Sequence, residues 1–145
     1  MNWKKEAIND LRAYEGRKQS LKNIREKYQA LEYSYGAIKS SLSNSTPVQG
    51  GGSRTEDVLI ANICERERLV LTYRATRKLV RLTERGLADL DSRQRRVLEL
   101  FFINRSDHHI DQLMNEFGIE KTHVYRIKDE ALHAFTTAMY GISEY

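Results

Sequence analysis

Apolar residues recur three and four positions apart through the first third of the chain, with polar residues between them. This spacing keeps side chains on one narrow side of an α-helix, as in coiled-coil packing. The stripe consists of Leu21, Ile24, Tyr28, Leu31, Tyr35, Ile38 and Leu42. Upstream, Ile8, Leu11 and Tyr14 extend an apolar face. The pattern therefore predicts one long helix from about Trp3 to Leu42.

The segment SNSTPVQGGGSRT, residues 43–55, interrupts this pattern. It holds the only proline of the chain and three consecutive glycines, and such residues favour turns and flexible linkers. We therefore expect a flexible connector here. No strand-like run precedes the glycines and no Gly-Lys-Ser/Thr follows them, so a nucleotide-binding loop is not expected.

A second helix is predicted from about Glu56 to Leu82, or on to Leu90. Its expected apolar side is Leu59, Ile63, Val70, Tyr73 and Val80. The connector is long enough to let this helix fold back antiparallel on the first one, which makes a helical hairpin the natural arrangement. The same heptads can also pair between two chains, which would give a homodimer through the N-terminal helices.

Another helix is predicted in LDSRQRRVLELFF, residues 90–102, with Asp91 or Ser92 as its N-cap. Its expected buried stripe is Val97, Leu98 and Phe101. Gly86 lies between this helical pattern and the preceding one, in residues 83–91. We expect this segment to be the joint between the hairpin and the C-terminal module.

A short helix, a glycine turn and a longer helix are predicted between Ile110 and Phe135. Ile110, Leu113 and Phe117 share one face of the short helix, which Gly118 ends because glycine adopts a left-handed conformation at little cost. Ile119 is expected to fill the turn. The apolar side of the longer helix is Val124, Ile127, Ala131, Leu132 and Phe135. Its outward polar residues are Lys121, Thr122, His123, Tyr125, Arg126 and Lys128.

One packed side and one polar side are what a helix needs to enter the major groove of DNA. Residues 136–145 are expected to be the frayed end of this helix, with Gly141 as its stop. The predicted fold class is therefore all-α. It comprises a long, coiled-coil-like N-terminal hairpin in residues 1–90 and a helix-turn-helix DNA-binding domain in residues 91–145.

The three C-terminal helices and the run RIKDEALHAF, residues 126–135, resemble region 4 of bacterial sigma factors, the part that reads the upstream promoter element. The resemblance covers about residues 90–140. It implies that base edges are contacted by Lys121, Thr122, His123, Tyr125 and Arg126. The chain departs from the family pattern at Met114, where a small residue is usual, and at Glu120, where a Ser or Thr would cap the recognition helix.

The whole chain, with long helices ahead of this module, also resembles the sigma-like late-gene regulators of phages that infect Gram-positive bacteria, the ArpU type. This resemblance implies a transcriptional regulator that binds double-stranded promoter or operator DNA and acts with host RNA polymerase. It places the protein in the cytoplasm of the bacterial host. Nothing in the chain looks like the promoter-melting domain of a full sigma factor, so an accessory or partial sigma-like factor is expected.

The net charge of +4 at pH 7 suggests a polyanionic partner, but the charge is unevenly distributed. Residues 1–55 hold ten basic and five acidic side chains, residues 56–91 hold seven of each, and residues 92–145 hold seven basic and eight acidic ones. A DNA-binding domain with almost no net charge should bind DNA weakly by itself, because phosphate neutralisation normally supplies much of the affinity. The predicted phosphate contacts are Arg93, Arg95, Arg96, Arg105 and Lys128.

No catalytic site, metal site or cofactor is predicted. Adjacent His108 and His109 point about 100° apart on a helix and cannot close on one ion with Asp111 alone, so solvated imidazoles at an exposed helix start are expected. Cys64, the only cysteine, is expected to be a packed thiol in a reducing compartment. No apolar run approaches the length of a transmembrane helix, and no apolar block follows the basic N-terminal residues, so neither a membrane span nor a secretory signal is expected.

Two other functions fit the same pattern. A DNA-packaging protein like the terminase small subunit of phages also couples a helix-turn-helix to an oligomerising helical region, and it would form a ring of eight or more subunits. A purely structural helical interaction protein would bind no DNA. For such a protein, replacing Lys121 and Arg126 would make no difference in a DNA-binding measurement.

Overall fold

A computed structural model describes residues 1–43 and 52–142 of the protein. The described residues contain five α-helices, one π-helix and no strand, so the predicted all-α class is confirmed. The elements in chain order are α1 (Trp3–Ser43), α2 (Gly52–Ala88), α3 (Ser92–Leu98), the π-helix (Glu99–Ile103), α4 (His109–Phe117) and α5 (Lys121–Tyr140).

The ends of the two long helices agree only partly with the sequence pattern. Helix α1 has its predicted length to within one residue. Helix α2 begins at Gly52, so the expected connector is wrong for residues 52–55, and residues 44–51 lie outside the described ranges. Glycine and serine are tolerated in the first turn of a helix because its N–H groups have no intrahelical partner in any case. Helix α2 also continues through Gly86, so the joint expected there is wrong.

The chain divides into two compact units, one of residues 1–18 and 78–145 (unit 1) and one of residues 19–77 (unit 2). This division falls inside both long helices, whereas the sequence pattern predicts a boundary between residues 90 and 91. The first turns of α1 and the last turns of α2 belong to unit 1 because they supply part of the core around α5.

In unit 2, residues from the two long helices pair in an antiparallel sense. Arg25 Nη2 donates to the hydroxyl oxygen of Tyr73 at 2.9 Å, and Asn62 Nδ2 donates to the carbonyl oxygen of Leu31 at 2.9 Å. Buried or half-buried residues of α2 recur here at heptad spacing and include polar Asn62 and Arg66 beside apolar ones, namely Leu59, Asn62, Arg66, Leu69 and Tyr73. A buried asparagine hydrogen-bonded across such a seam fixes the register of the two helices.

Three expectations for unit 2 are wrong. Ile63 is 38 % exposed and does not line the seam with Leu59, because Asn62 occupies that heptad position. Leu42, the last residue of the α1 stripe, is 42 % exposed. Cys64 is exposed and is not a packed thiol, since it lies on the side of α2 away from the seam.

The core of unit 1 joins α1 to α5. Ala7 and Leu11 of α1 pack in one buried cluster with Leu132 and Phe135 of α5, and the ring of Trp3 lies 5.1 Å from that of Tyr140. The end of α5 is therefore packed and not frayed, and the helix stops at Gly141 with φ 78° as predicted.

Helix α2 approaches α5 closely at Gly86. A Cβ atom on Gly86 would lie 2.9 Å from Cε2 of Phe135 and 3.2 Å from Sδ of Met139. These distances are shorter than van der Waals contact, so this helical position needs a residue without a side chain. The glycine permits helix packing here and makes no turn.

Helix α3 begins as predicted and ends earlier than predicted. Asp91 is its N-cap, since Asp91 Oδ1 accepts from the backbone N–H of Gln94 at 2.7 Å and the Gln94 side chain accepts from the backbone N–H of Asp91. The α-helix ends at Leu98 and continues as the π-helix, which ends before Asn104. The expected burial of Val97, Leu98 and Phe101 is confirmed.

Candidate nucleic-acid interface

Helices α4 and α5 are joined by a tight turn at Gly118. Gly118 has φ 62°, in the left-handed region predicted for it, and its N–H donates to the carbonyl oxygen of Met114. Leu113 is fully buried, and Ile110, Phe117 and Ile119 pack against the same cluster. Met114 also packs there, so its longer side chain is accommodated between the helices.

Helix α5 begins without a side-chain cap. Glu120 is in the N-cap position with φ −80° and ψ 159°, but its side chain makes no capping hydrogen bond. The glutamate carboxylate is one methylene farther from the backbone than that of the preferred aspartate. The first turn of α5 is therefore less well stabilised than that of α3.

The first two turns of α5 present their polar side chains to solvent. Val124 and Ile127 are 0 % and 6 % exposed and fix the rotation of the helix on its core. The five residues assigned to base reading are all exposed, namely Lys121, Thr122, His123, Tyr125 and Arg126. Within the described parts of the chain, neither Lys121 nor Arg126 makes an ion pair.

The exposed surface of α5 changes sign after Arg126. Asp129 and Glu130 are both exposed in the next turn, and carboxylates there would repel the phosphates of a duplex lying along the whole helix. The first two turns of α5 hold no acidic residue, so they suit a polyanion better than the turn that follows.

Tyr125 packs against an aromatic cluster. Phe101 of the π-helix lies edge-on to His109 at 4.6 Å and to Tyr125 at 5.9 Å between ring centroids. Lys128 Nζ lies 5.7 Å from the ring of Tyr125 and pairs with Asp129 at 2.9 Å. The ammonium group of Lys128 thus already has partners and is half-buried, which does not favour the phosphate contact predicted for it.

His109 is not the solvated imidazole that the sequence suggests. It is 8 % exposed, and its Nδ1 lies 3.0 Å from the carbonyl oxygen of Ser106. The neighbouring His108 is exposed and makes no side-chain cap for α4. Across residues 1–43 and 52–142, no three His, Cys, Asp or Glu side chains come together as a set that could hold a metal ion.

The four arginines assigned to phosphate contacts divide into two groups. Arg93, Arg95 and Arg105 are exposed, and the guanidinium of Arg93 lies 5.0 Å from the ring of Phe117. Arg96 is engaged by two carboxylates, since it donates to Glu116 at 2.8 Å and to Glu99 at 3.0 Å.

The carboxylate partners of Arg96 also shift its ionisation. The hydrogen bonds that Arg96 donates to Glu116 and then to Glu99 hold the pKa of Arg96 above its usual range, and the bond with Arg96 lowers the pKa of Glu116. The charge of Arg96 is therefore compensated within the protein. A phosphate would have to displace two carboxylates to bind it, so the three exposed arginines are the better candidates.

None of the helices in the described ranges combines the length and the apolar character needed to cross a membrane. Comparison of the chain with models of protein families, with characterised proteins and with solved structures finds no match.

Proposed function

We propose that the protein is a sequence-specific DNA-binding transcriptional regulator in which α5 reads the major groove. The observation that carries the proposal is the two-sided surface of α5. Val124 and Ile127 are buried against α3, the π-helix and α4, while all five residues assigned to base reading are exposed in its first two turns. Lysine and arginine at such positions donate to guanine, and the tyrosine and threonine side chains add apolar and hydrogen-bonding contacts.

The charge distribution supports a reader that works with a partner. With Arg96 and Lys128 compensated by carboxylates, α3, α4 and α5 offer few free cations to the phosphates. Phosphate neutralisation supplies essentially all non-specific affinity, so α5 should be weak unless something else holds it at its site. We expect host RNA polymerase to hold it there, as the resemblance to sigma region 4 and to phage late-gene regulators implies.

The proposal is tested by selecting bound duplexes from a randomised DNA library with the full chain. The wild type should enrich one motif. Lys121→Ala combined with Arg126→Ala should lose it, with affinity falling by about 1–3 kcal/mol for each bidentate contact removed, or roughly 5- to 150-fold. Both side chains are exposed, so the fold should be unaffected.

The matched control is Lys4→Ala combined with Arg12→Ala, which removes one lysine and one arginine from exposed positions of the same unit. This control should keep the enriched motif. Absence of any motif with the wild type, or equal enrichment by the Lys121 and Arg126 variant, would contradict a base-reading role.

A further inference from the structure

A second basic surface lies on the last turns of α2, in unit 1. Lys78, Arg81 and Arg85 are all exposed and are spaced three and four residues apart, so they share one side of the helix within an arc of about 60° and a length of about 10 Å. Among the residues that the structure describes, no carboxylate forms an ion pair with any of them. We call these three residues the α2 stripe.

The only carboxylate on the same stretch of α2 is bonded to α1. Glu84 is the one acidic residue between Lys78 and Ala88, and it accepts a hydrogen bond from the hydroxyl of Tyr14 at 2.9 Å. Burial and this carboxylate together raise the pKa of Tyr14 to about 12, so the bond persists at neutral pH. Glu84 is therefore bonded to α1 and forms no ion pair with the α2 stripe.

The α2 stripe and the reading residues belong to the same compact unit of the protein. Gly86, next to Arg85, lies against Phe135 of α5, so α2 and α5 are in direct contact inside this unit.

We propose that Lys78, Arg81 and Arg85 bind the phosphate backbone of DNA and add affinity without reading sequence. This inference rests on the proposed function of α5 and adds three cations to the exposed Arg93, Arg95 and Arg105. Guanidinium groups match phosphate oxygens in bidentate geometry. Each phosphate neutralised releases condensed counterions and steepens the dependence of the logarithm of affinity on the logarithm of salt concentration by about 0.9.

The test is DNA binding by the full chain as a function of salt, on the selected duplex and on a scrambled one. Lys78→Gln combined with Arg81→Gln and Arg85→Gln should flatten the salt dependence by about 2–3. It should weaken both duplexes at least tenfold at 0.1 M salt and leave the enriched motif unchanged. The charge-conserving set Lys78→Arg, Arg81→Lys and Arg85→Lys is the control and should keep the wild-type slope.

The single variant Arg81→Gln keeps the test valid if the triple variant folds poorly, and it should flatten the slope by about 0.9. A wild-type slope in both variants overturns the inference and shows that the stripe serves another partner, such as an acidic protein surface. In that case the loss of the motif in the Lys121 and Arg126 variant would still support the proposed function. A wild type that binds neither duplex at low salt contradicts both.

Discussion

The contact between Gly86 and Phe135 gives a prediction in which two effects of known size oppose each other. Alanine is more favourable than glycine inside a helix by about 1 kcal/mol. At Gly86, however, the new Cβ would lie 2.9 Å and 3.1 Å from two ring atoms of Phe135. Phe135 is fully buried and cannot move aside, and overpacking of this kind costs about 1–3 kcal/mol. Gly86→Ala should therefore lower the free energy of unfolding of unit 1, by up to about 2 kcal/mol.

Gly16→Ala is the matched control, because Gly16 lies in α1 within the same unit and a Cβ there would have no atom within 4 Å. It should raise the free energy of unfolding by about 1 kcal/mol. The assay is urea unfolding followed by the fluorescence of Trp3, the only tryptophan, which packs on Tyr140 and so reports unit 1. A difference of 1 kcal/mol also shifts the melting temperature by about 2–4 °C.

A double substitution at Gly86 and Phe135 tests the same contact in a second way. Combining Gly86→Ala with Phe135→Leu should cost less than the sum of the two single substitutions, because the smaller side chain makes room for the methyl group. The reasoning is refuted if Gly86→Ala stabilises the protein as much as Gly16→Ala does, since α2 and α5 would then not be in contact at this point.

Three further substitutions test the local interactions. Glu120→Asp should stabilise α5 by about 1 kcal/mol in urea unfolding, since the shorter carboxylate can cap the first turn; an unchanged midpoint would contradict the cap geometry. Arg96→Ala should cost no more than about 1 kcal/mol, because its partner Glu116 is at the surface, and should change DNA affinity less than twofold in a binding titration; a larger loss would restore Arg96 as a phosphate contact. The pKa of Tyr14 is raised from 10.0 to about 12, so the stability it contributes is complete below pH 10 and is lost as the pH rises toward 12. Between pH 9 and 12, Tyr14→Phe should therefore lose less stability than the wild type. Equal losses would show that folding does not raise the pKa of Tyr14.

The sequence predicts the C-terminal helices well because their apolar positions are dense and their ends are marked. Asp91 and Gly118 are residue types with one strong positional preference each, and both are where the pattern places them. The side of α2 that meets α1 is harder to predict. Apolar periodicity predicts that Ile63 is buried in the seam, whereas the buried residue is the neighbouring Asn62.

The candidate site is predictable in its exposed part and not in its ion pairs. The exposure of the five residues assigned to base reading follows from the buried positions of Val124 and Ile127 on the same two turns of α5. The engagement of Arg96 does not follow, because Glu116 is twenty residues away and comes close only when α4 packs against α3. The burial of His109 does not follow from the pattern either, since it depends on the contact with Phe101 of the π-helix.

The central claim, that α5 reads base pairs, is tested most directly by the base discrimination of a single variant. Each base pair of the selected motif is changed in turn, and the affinities for the motif and for the changed duplex are measured. The measurement is made with the wild type and with Arg126→Ala. At one position the wild type should discriminate by about 1–3 kcal/mol, and Arg126→Ala should bind both duplexes equally. If Arg126→Ala discriminates at every position as the wild type does, Arg126 does not read a base in the way proposed.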